Sequence, residues 1–437
     1  MRTWMPGIKP GMTMLQVRMP LPSEIDVAII GAGAAGIGAA RALEGKGLSV
    51  LILEARDRLG GRAYTRELEN GIVFDVGCGW LHSADKNKFV GIAETLGFEI
   101  DRGRPHWSQQ TYNIGFPQKD REDYLNEMDA FYDRAEAAAK SGKDRPASEL
   151  LLPGNRWNAM LNCISTYING VELDRVSILD MNAYEDTEVN WRAKRGYGAL
   201  VAAYGAPCPV AFDTKVTLID HSSRRIRIET SRGTITAAKV IVTVPTNLIA
   251  NESLRFHPVL PEKVAAARAL PLGLADKMML ALDDDGDALP KDGHLRGSIT
   301  KAGTGSYHLR PKGLPAIEGY FGGRFARELE NAGDGAMAAV AIDEIVGLLG
   351  SDYRRKLRPI ASSAWEHDPF ATGSYSYALP GHAGERAKLA TPLDGRIFFA
   401  GEATSPNFFS TCHGALESGI RAAKEVVGAE SEIAAGR

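Results

Sequence analysis

Three glycines in the run Gly31-Ala32-Gly33-Ala34-Ala35-Gly36, with Glu54 standing 21 residues beyond Gly33, have the types and spacing needed to cradle a dinucleotide. Gly31 permits a tight turn, Gly33 lets backbone approach a pyrophosphate, and Gly36 lets a helix pack against a strand. A helix opening at Ala34 and Ala35 would aim free N–H groups and the positive end of its dipole at phosphate oxygens. Glu54 is placed to accept from ribose hydroxyls. A carboxylate there disfavours a 2′-phosphate, so NAD or FAD fits and NADP does not. The continuation Glu54-Ala55-Arg56-Asp57-Arg58-Leu59-Gly60-Gly61-Arg62 adds forked donors at Arg56 and Arg62 that can offset phosphate charge.

Four later blocks stand out for their glycines, aromatics and acids. They are Phe74 through His82, including Gly79 and Trp80; Trp365 through Tyr377, including Asp368, Ser374 and Tyr375; Arg396 through Thr404, including Gly401 and Glu402; and the run from Thr411 and Cys412 to Gly419. In order, from residue 26 to about 425, these blocks and the Leu53–Thr65 segment resemble the flavin-dependent amine oxidases: monoamine oxidases, polyamine oxidases and lysine-specific histone demethylases. The tryptophan–tyrosine block is most similar to the polyamine oxidase and demethylase branch, and the chain as a whole looks polyamine oxidase-like. Residues 85–195 and 266–360 match weakly, and the resemblance gives those to the substrate.

The resemblance implies non-covalent FAD, because Ser374 stands where monoamine oxidases carry the cysteine bonded to the flavin. It assigns Gly31, Gly33, Ala34, Ala35, Gly36, Glu54, Ala55, Arg56, Gly61 and Arg62 to the nucleotide, and the backbone of Val216 to the adenine. Gly79, Trp80 and Trp365 fall beside the flavin ring. Gly401 and Glu402 approach the ribityl–phosphate region. Thr411 and Cys412 precede a helix whose N-terminus would stabilise negative charge on the reduced ring. Tyr375 would confine the amine against the flavin face. Thr411 occupies the place of the second aromatic of monoamine oxidases, which leaves room for a bulkier or longer amine. Lys277 would hold a water against flavin N5, and His82 resembles a histidine at the substrate entrance of animal polyamine oxidases. The candidate catalytic residues are thus Lys277, Tyr375, His82 and Thr411, and no metal-ligand cluster is seen. As residues alone, Tyr375 and Tyr377 also read as alternating core positions, Lys277 as the solvated end of a strand, and Trp365 as core. His82, whose ordinary pKa is near neutral, also reads as a satisfied structural histidine.

These side chains need a parallel sheet to hold them. Asp26–Ile30 and Leu48–Glu54 read as buried strands around a helix that runs through Leu43. Arg225–Thr230 alternates as a half-exposed strand, and Val240–Val244 reads as a buried one ending at Pro245. Asp123–Ser141 is helical and acidic, Ala336–Leu349 has apolar residues at helical spacing, and a final helix runs to about Val427. The expected fold class is α/β, with a Rossmann-type FAD-binding domain assembled from discontinuous segments, residues 25–84, 196–265 and 366–437. An α+β substrate-binding domain takes 85–195 and 266–365, and residues 1–24 form a loose N-terminal extension. Asp283–Asp287 reads as a solvated turn, since His294 stands at the twelfth position, where a calcium loop needs glutamate.

At roughly 150 residues per domain, 437 residues make two or three domains. A net charge of −3 gives no global field for nucleic acid or an anionic membrane. The longest uncharged run, 17 residues from Gly196 to Phe212, is too short and too broken by glycine and proline to span a bilayer. No apolar stretch of signal-peptide length opens the chain, and four scattered cysteines suit a reducing, cytoplasmic setting. A small-molecule amine and O2 are the expected partners, and a homodimer is the assembly considered.

The implied reaction moves a hydride from the carbon beside a neutral amine nitrogen to flavin N5. The imine hydrolyses to an aldehyde or ketone plus amine or ammonia, and O2 reoxidises the flavin to give H2O2. The expected substrate is a polyamine or another primary or secondary amine. An L-amino acid oxidase would instead need an arginine clamp, for which Arg296, Arg310 and Arg324 lie in the weakly matching region. A non-catalytic FAD-binding interaction protein is the alternative from a different class. At 437 residues the chain is expected to lack the chromatin-binding domains and the long helical insertion of the demethylases.

Overall fold

A computed structural model of the chain describes residues 20–108, 113–283 and 289–435. Residues 1–19 of the expected extension and 284–287 of the acidic run lie outside them, and the first strand already begins at Glu24. Non-periodic apolar runs at Val27–Ile30 and Val50–Leu53 form neighbouring parallel strands, as strands covered on both faces must. They lie in an eight-stranded sheet with the order Arg255–His257, Val216–Asp220, Ile226–Thr230, Gly233–Val242, Glu24–Ile30, Val50–Leu53 and Val210–Ala211. Ile397–Phe399 pairs in parallel with the end of Gly233–Val242, so segments far apart in the chain close one sheet.

The strand expected at Val240–Val244 is longer and shifted. It starts at Gly233, where alternating residues pair antiparallel with Ile226–Thr230, and it stops at Val242, opposite Ile30, where the partner strand gives way to the glycine turn. The helix Ala34–Leu43 follows the glycine turn and packs against the closing helix Cys412–Ala435. The two meet at backbone distance: a Cβ on Gly38 would sit 2.7 Å from the Leu416 carbonyl oxygen, and one on Gly419 would sit 1.9 Å from that of Ala35.

A second sheet has five strands in the order Gly293–Arg296, Ser306–Leu309, Ala316–Gly322, Ala275–Leu282 and Leu357–Ser362, with every neighbouring pair antiparallel. One face buries Met278, Leu280, Ile317, Phe321, Tyr307 and Leu309 with Met337, Ala341 and Ile345 of the helix Ala336–Leu349, which has the bounds its spacing predicts. On the other face, register sets Arg296, Ser306, Tyr320 and Lys277 in one row across four strands, with His294, His308 and Glu318 in the next row. The acidic helix spans Gln118–Ala139, earlier at both ends than its pattern predicts. No helix among the described residues is long and apolar enough to cross a membrane.

Candidate active site

The turn after Ile30 needs Gly31, whose φ of +106° would put a Cβ 2.9 Å from Thr243 Oγ1. Gly33 and Gly60 form a β-bridge, and the Gly60 N–H donates to the Ala32 carbonyl at 2.9 Å, so the Gly60–Gly61 turn lies on the glycine loop. The buried Glu54 carboxylate accepts from the Ala32 N–H at 2.6 Å and from the Arg56 N–H at 2.8 Å. Each oxygen retains a lone pair, so the acid is fixed in place and can still accept from a ribose.

Arg56 and Arg62 are not the uncommitted cations that their sequence suggests. Arg56 Nη2 pairs with Asp368 at 2.6 Å. Arg62 Nη1 donates to the Ser374 carbonyl at 2.6 Å and lies 3.0 Å from Glu402. A part-buried guanidinium without a counter-charge is costly, which explains the pairing. Glu402 is itself the hub of a network, accepting from Ser376 Oγ at 2.6 Å and the Ser410 N–H at 2.9 Å. Burial pushes its carboxyl up, but Arg62, Ser376, Arg386 and Ser410 together hold it below the ordinary range. Thr411 caps the closing helix: its hydroxyl accepts from the Gly414 N–H at 3.0 Å and donates to the Phe408 carbonyl. The helix begins at Cys412, one residue earlier than expected.

Lys277 is buried inside the strand Ala275–Leu282 and is not its solvated end. Its Nζ donates to the carbonyls of Gly77 at 2.7 Å and Asp75 at 2.9 Å and lies 3.6 Å from Glu318 Oε1. A Cβ on Gly79 would stand 3.2 Å from that nitrogen, so the glycine makes room for the lysine head. Burial pushes the Glu318 carboxyl up, yet Lys277, Arg192 and His308 hold it well below the usual range, and it is ionised.

The segment holding Tyr375 is irregular, and the strand reading for Tyr375 and Tyr377 fails. The Tyr375 hydroxyl donates to the Tyr167 carbonyl at 2.5 Å and meets the Tyr320 hydroxyl at 3.0 Å. Burial pushes Tyr375 well above ordinary phenols and Tyr320 up to about 12, so both stay neutral donors. His82 Nδ1 lies 2.6 Å from Asn190 Oδ1, so it carries the proton and Nε2 is the acceptor of the neutral ring. Burial lowers the pKa of that ring, with Asn190 acting in the opposite direction. Trp80 packs edge-on against Trp107, and the buried Trp365 donates its indole N–H to the Val76 carbonyl at 3.1 Å.

These parts border one cavity of about 1070 Å³. Gly31, Gly33, Ala34, Ala35, Glu54, Ala55, Arg56, Gly61, Arg62 and Val216 line it, as do Gly79, Trp80, His82, Lys277, Trp365, Tyr375, Gly401, Glu402, Thr411 and Cys412. Gly36 does not line it; a Cβ there would strike the Gly31 carbonyl at 1.9 Å, so its role is helix packing. The volume exceeds that of a usual small-ligand pocket, and the glycine cradle, fixed carboxylate and helix N-terminus suit a dinucleotide flavin with space left for a substrate. Ser374, at the position expected to decide covalent attachment, uses its hydroxyl on Ala275. Among the described residues no group of histidine, cysteine or acidic side chains is placed to hold a metal.

Sequence reasoning missed Glu318, Tyr320, Tyr167, Asn190 and the buried Arg386–Asp180 pair, whose Nε–Oδ1 and Nη2–Oδ2 distances are 2.6 and 2.8 Å. The one local signal was a charged residue, Glu318, inside the apolar run Ala316–Phe321.

Residues 169–427 match the family described as flavin containing amine oxidoreductase, and residues 29–93 match an NAD(P)-binding Rossmann-like domain. The chain is 27% identical to polyamine oxidase 2 of Arabidopsis thaliana over 91% of its own length and 87% of that protein. It is 29% identical to lysine-specific histone demethylase 1 homolog 2 of Oryza sativa subsp. japonica, over 92% of this chain and 57% of that one. The fold superposes on cyclohexylamine oxidase from Brevibacterium oxydans with a TM-score of 0.75, 20% identity, and coverage of 93% of this chain and 99% of that one.

Proposed function

The chain belongs to the flavin containing amine oxidoreductase family, and from that premise we propose that it oxidises the C–N bond of a primary or secondary amine in the cavity bordered by its two sheets. The cofactor is FAD, which the glycine loop, Glu54, Arg62 and Glu402 would hold. When bound, FAD supplies the two-electron acceptor that takes a hydride from the amine-bearing carbon and passes the electrons to O2, giving H2O2 and an imine that water cleaves.

The residues then have separable tasks. Asp133, Glu136, Asp186 and Glu188 border the cavity and draw in a protonated amine. The nitrogen must lose its proton before the carbon can give up hydride, and His82 Nε2 is a neutral acceptor in that space. Tyr375 and Tyr320, bonded to each other and to the Tyr167 carbonyl, form a rigid wall that orients the substrate. Two of the three Lys277 protons are spent on main-chain carbonyls, which leaves one to hold a water.

The reading rests on one observation. Lys277, Tyr375 and His82, from three distant segments, border the same cavity as the glycine loop. The names of the polyamine oxidase relatives put polyamines first in a substrate panel. Anaerobic mixing with amines, while following the visible band of oxidised flavin, tests the proposal. Bleaching followed by peroxide release on readmitting air is expected. A flavin that no amine bleaches would leave the non-catalytic reading.

A further inference from the structure

The cavity-facing side of the five-stranded sheet ends in a guanidinium that bonds the Cys163 thiol but leaves two of its three nitrogens unbonded. Arg296 lines the cavity, and its Nε and Nη1 are buried without a hydrogen-bond partner. Three other arginines hold an acid or a carbonyl, though Arg192 also keeps one buried nitrogen unbonded. Arg192 lies 3.5 Å from Glu318, Arg310 donates to the Leu289 carbonyl at 2.9 Å, and Arg324 pairs with Asp174 at 2.6 Å. The histidines around Arg296 do not offset its charge. His106 stacks on His308 at 4.0 Å and sits 5.3 Å from His294. Burial and then the adjoining cations keep His106 far below its ordinary pKa, and His294 is pushed down to about 3. Two buried, unbonded guanidinium nitrogens are expensive to maintain unless a ligand anion completes them.

The sheet register also fixes how far this charge lies from the reacting centre. Arg296, Ser306, Tyr320 and Lys277 are consecutive partners across four strands, so three strand steps of about 4.8 Å put their backbones about 14 Å apart. Asp186 borders the same cavity and acts on His82 and Tyr184, which favours an ammonium beside them. We propose that Arg296 is a carboxylate-binding subsite, and that the substrate is an amine carrying a carboxylate several bonds from the carbon to be oxidised, as an ω-amino acid does. This rests on the amine-oxidation reading above and narrows it.

The test compares pairs that differ by one carboxylate: ε-aminocaproate against pentylamine, and leucine against isopentylamine, with spermidine alongside. Anaerobic flavin bleaching and equilibrium titration are run on the holoenzyme and on Arg296→Gln and Arg296→Lys. The expected result is a kcat/KM for ε-aminocaproate about 10- to 100-fold above that for pentylamine, carried by KM. Arg296→Gln should erase the difference without slowing pentylamine, and Arg296→Lys should keep part of it. If Arg296→Gln fails to retain flavin, the lysine variant carries the comparison, because it keeps the charge and loses the fork. Equal rates within both pairs, or an equal loss for both members in the variants, would overturn the proposal. So would a preference for leucine that survives Arg296→Gln. Carboxylate binding that vanishes in Arg296→Gln while no compound bleaches the flavin would support the subsite and reject amine oxidation.

Discussion

Lys277 stands directly opposite Tyr320 across two antiparallel strands, yet its ammonium turns to the Gly77 and Asp75 carbonyls, in the segment that precedes Gly79 and Trp80. One side chain therefore ties the second sheet to the loop that the family resemblance puts beside the flavin. Replacing it with methionine removes both hydrogen bonds and one counter-charge of Glu318. Lys277→Met is expected to slow turnover about 100-fold or more, the range for loss of a positioned proton-handling group. Rapid mixing that separates flavin reduction from reoxidation locates the loss. Wild-type rates in both halves would remove the lysine from the mechanism.

Tyr375→Phe leaves the Tyr167 carbonyl and the Tyr320 hydroxyl each short of a partner. The expected cost is about 1–3 kcal/mol of stability, with flavin retained. Thermal unfolding of the holoprotein measures it, and an unchanged Tm would show that the two hydroxyls find water instead.

The nucleotide end was legible in the sequence because consecutive residues build it: a turn, a helix start and an acid lie within one strand–helix–strand unit. The substrate end was not. Arg296, Ser306, Tyr320 and Lys277 come together through the register of four strands, and nothing within any one strand announces its partners. The Arg386–Asp180 pair is 206 positions apart, and Arg56 and Arg62 found their carboxylates more than 300 positions away, at Asp368 and Glu402. Local pattern shows which charges exist, and only the tertiary fold shows which are already neutralised.

Asp180→Asn tests one of those hidden pairs. Asp180 also accepts from the Ala378 N–H at 3.0 Å, and Arg386 donates to Ser376, which in turn bonds Glu402. Leaving a buried guanidinium half-compensated should cost about 3–5 kcal/mol. Denaturant unfolding and flavin retention should both report the loss, and wild-type values for both would show that the pair contributes little.

Histidine burial makes the protein acid-sensitive. Burial pushes His294 and His413 down to about 3, with nearby cations adding to the effect at His294 and His82 adding to it at His413. Below their ordinary value of 6.5 the unfolded chain takes up protons that the native state refuses. Stability therefore falls as pH drops from about 6.5 toward about 3, by about 1.4 kcal/mol per pH unit for each ring. His413→Gln should flatten the decline of Tm with acidity, and an identical slope would show that His413 is not kept neutral.

Gly419→Ala would drive a methyl into the Ala35 carbonyl, at a distance of 1.9 Å. Relief requires the two helices to separate, at a cost of about 1–3 kcal/mol. Because Ala35 lies in the first turn of the nucleotide helix, weaker flavin retention on gel filtration is the expected sign. Full retention would show that the shift is absorbed elsewhere.

That contact also bears on how the molecule is born. The glycine loop leaves the ribosome early, whereas the strand Ile397–Phe399 and the helix that props Ala35 are translated hundreds of residues later. At about 5–20 residues per second, the nascent loop waits for tens of seconds without its buttress. Pigment uptake is then an event of the finished polypeptide, and cells starved of riboflavin should accumulate a full-length, colourless pool that turns yellow when the vitamin returns.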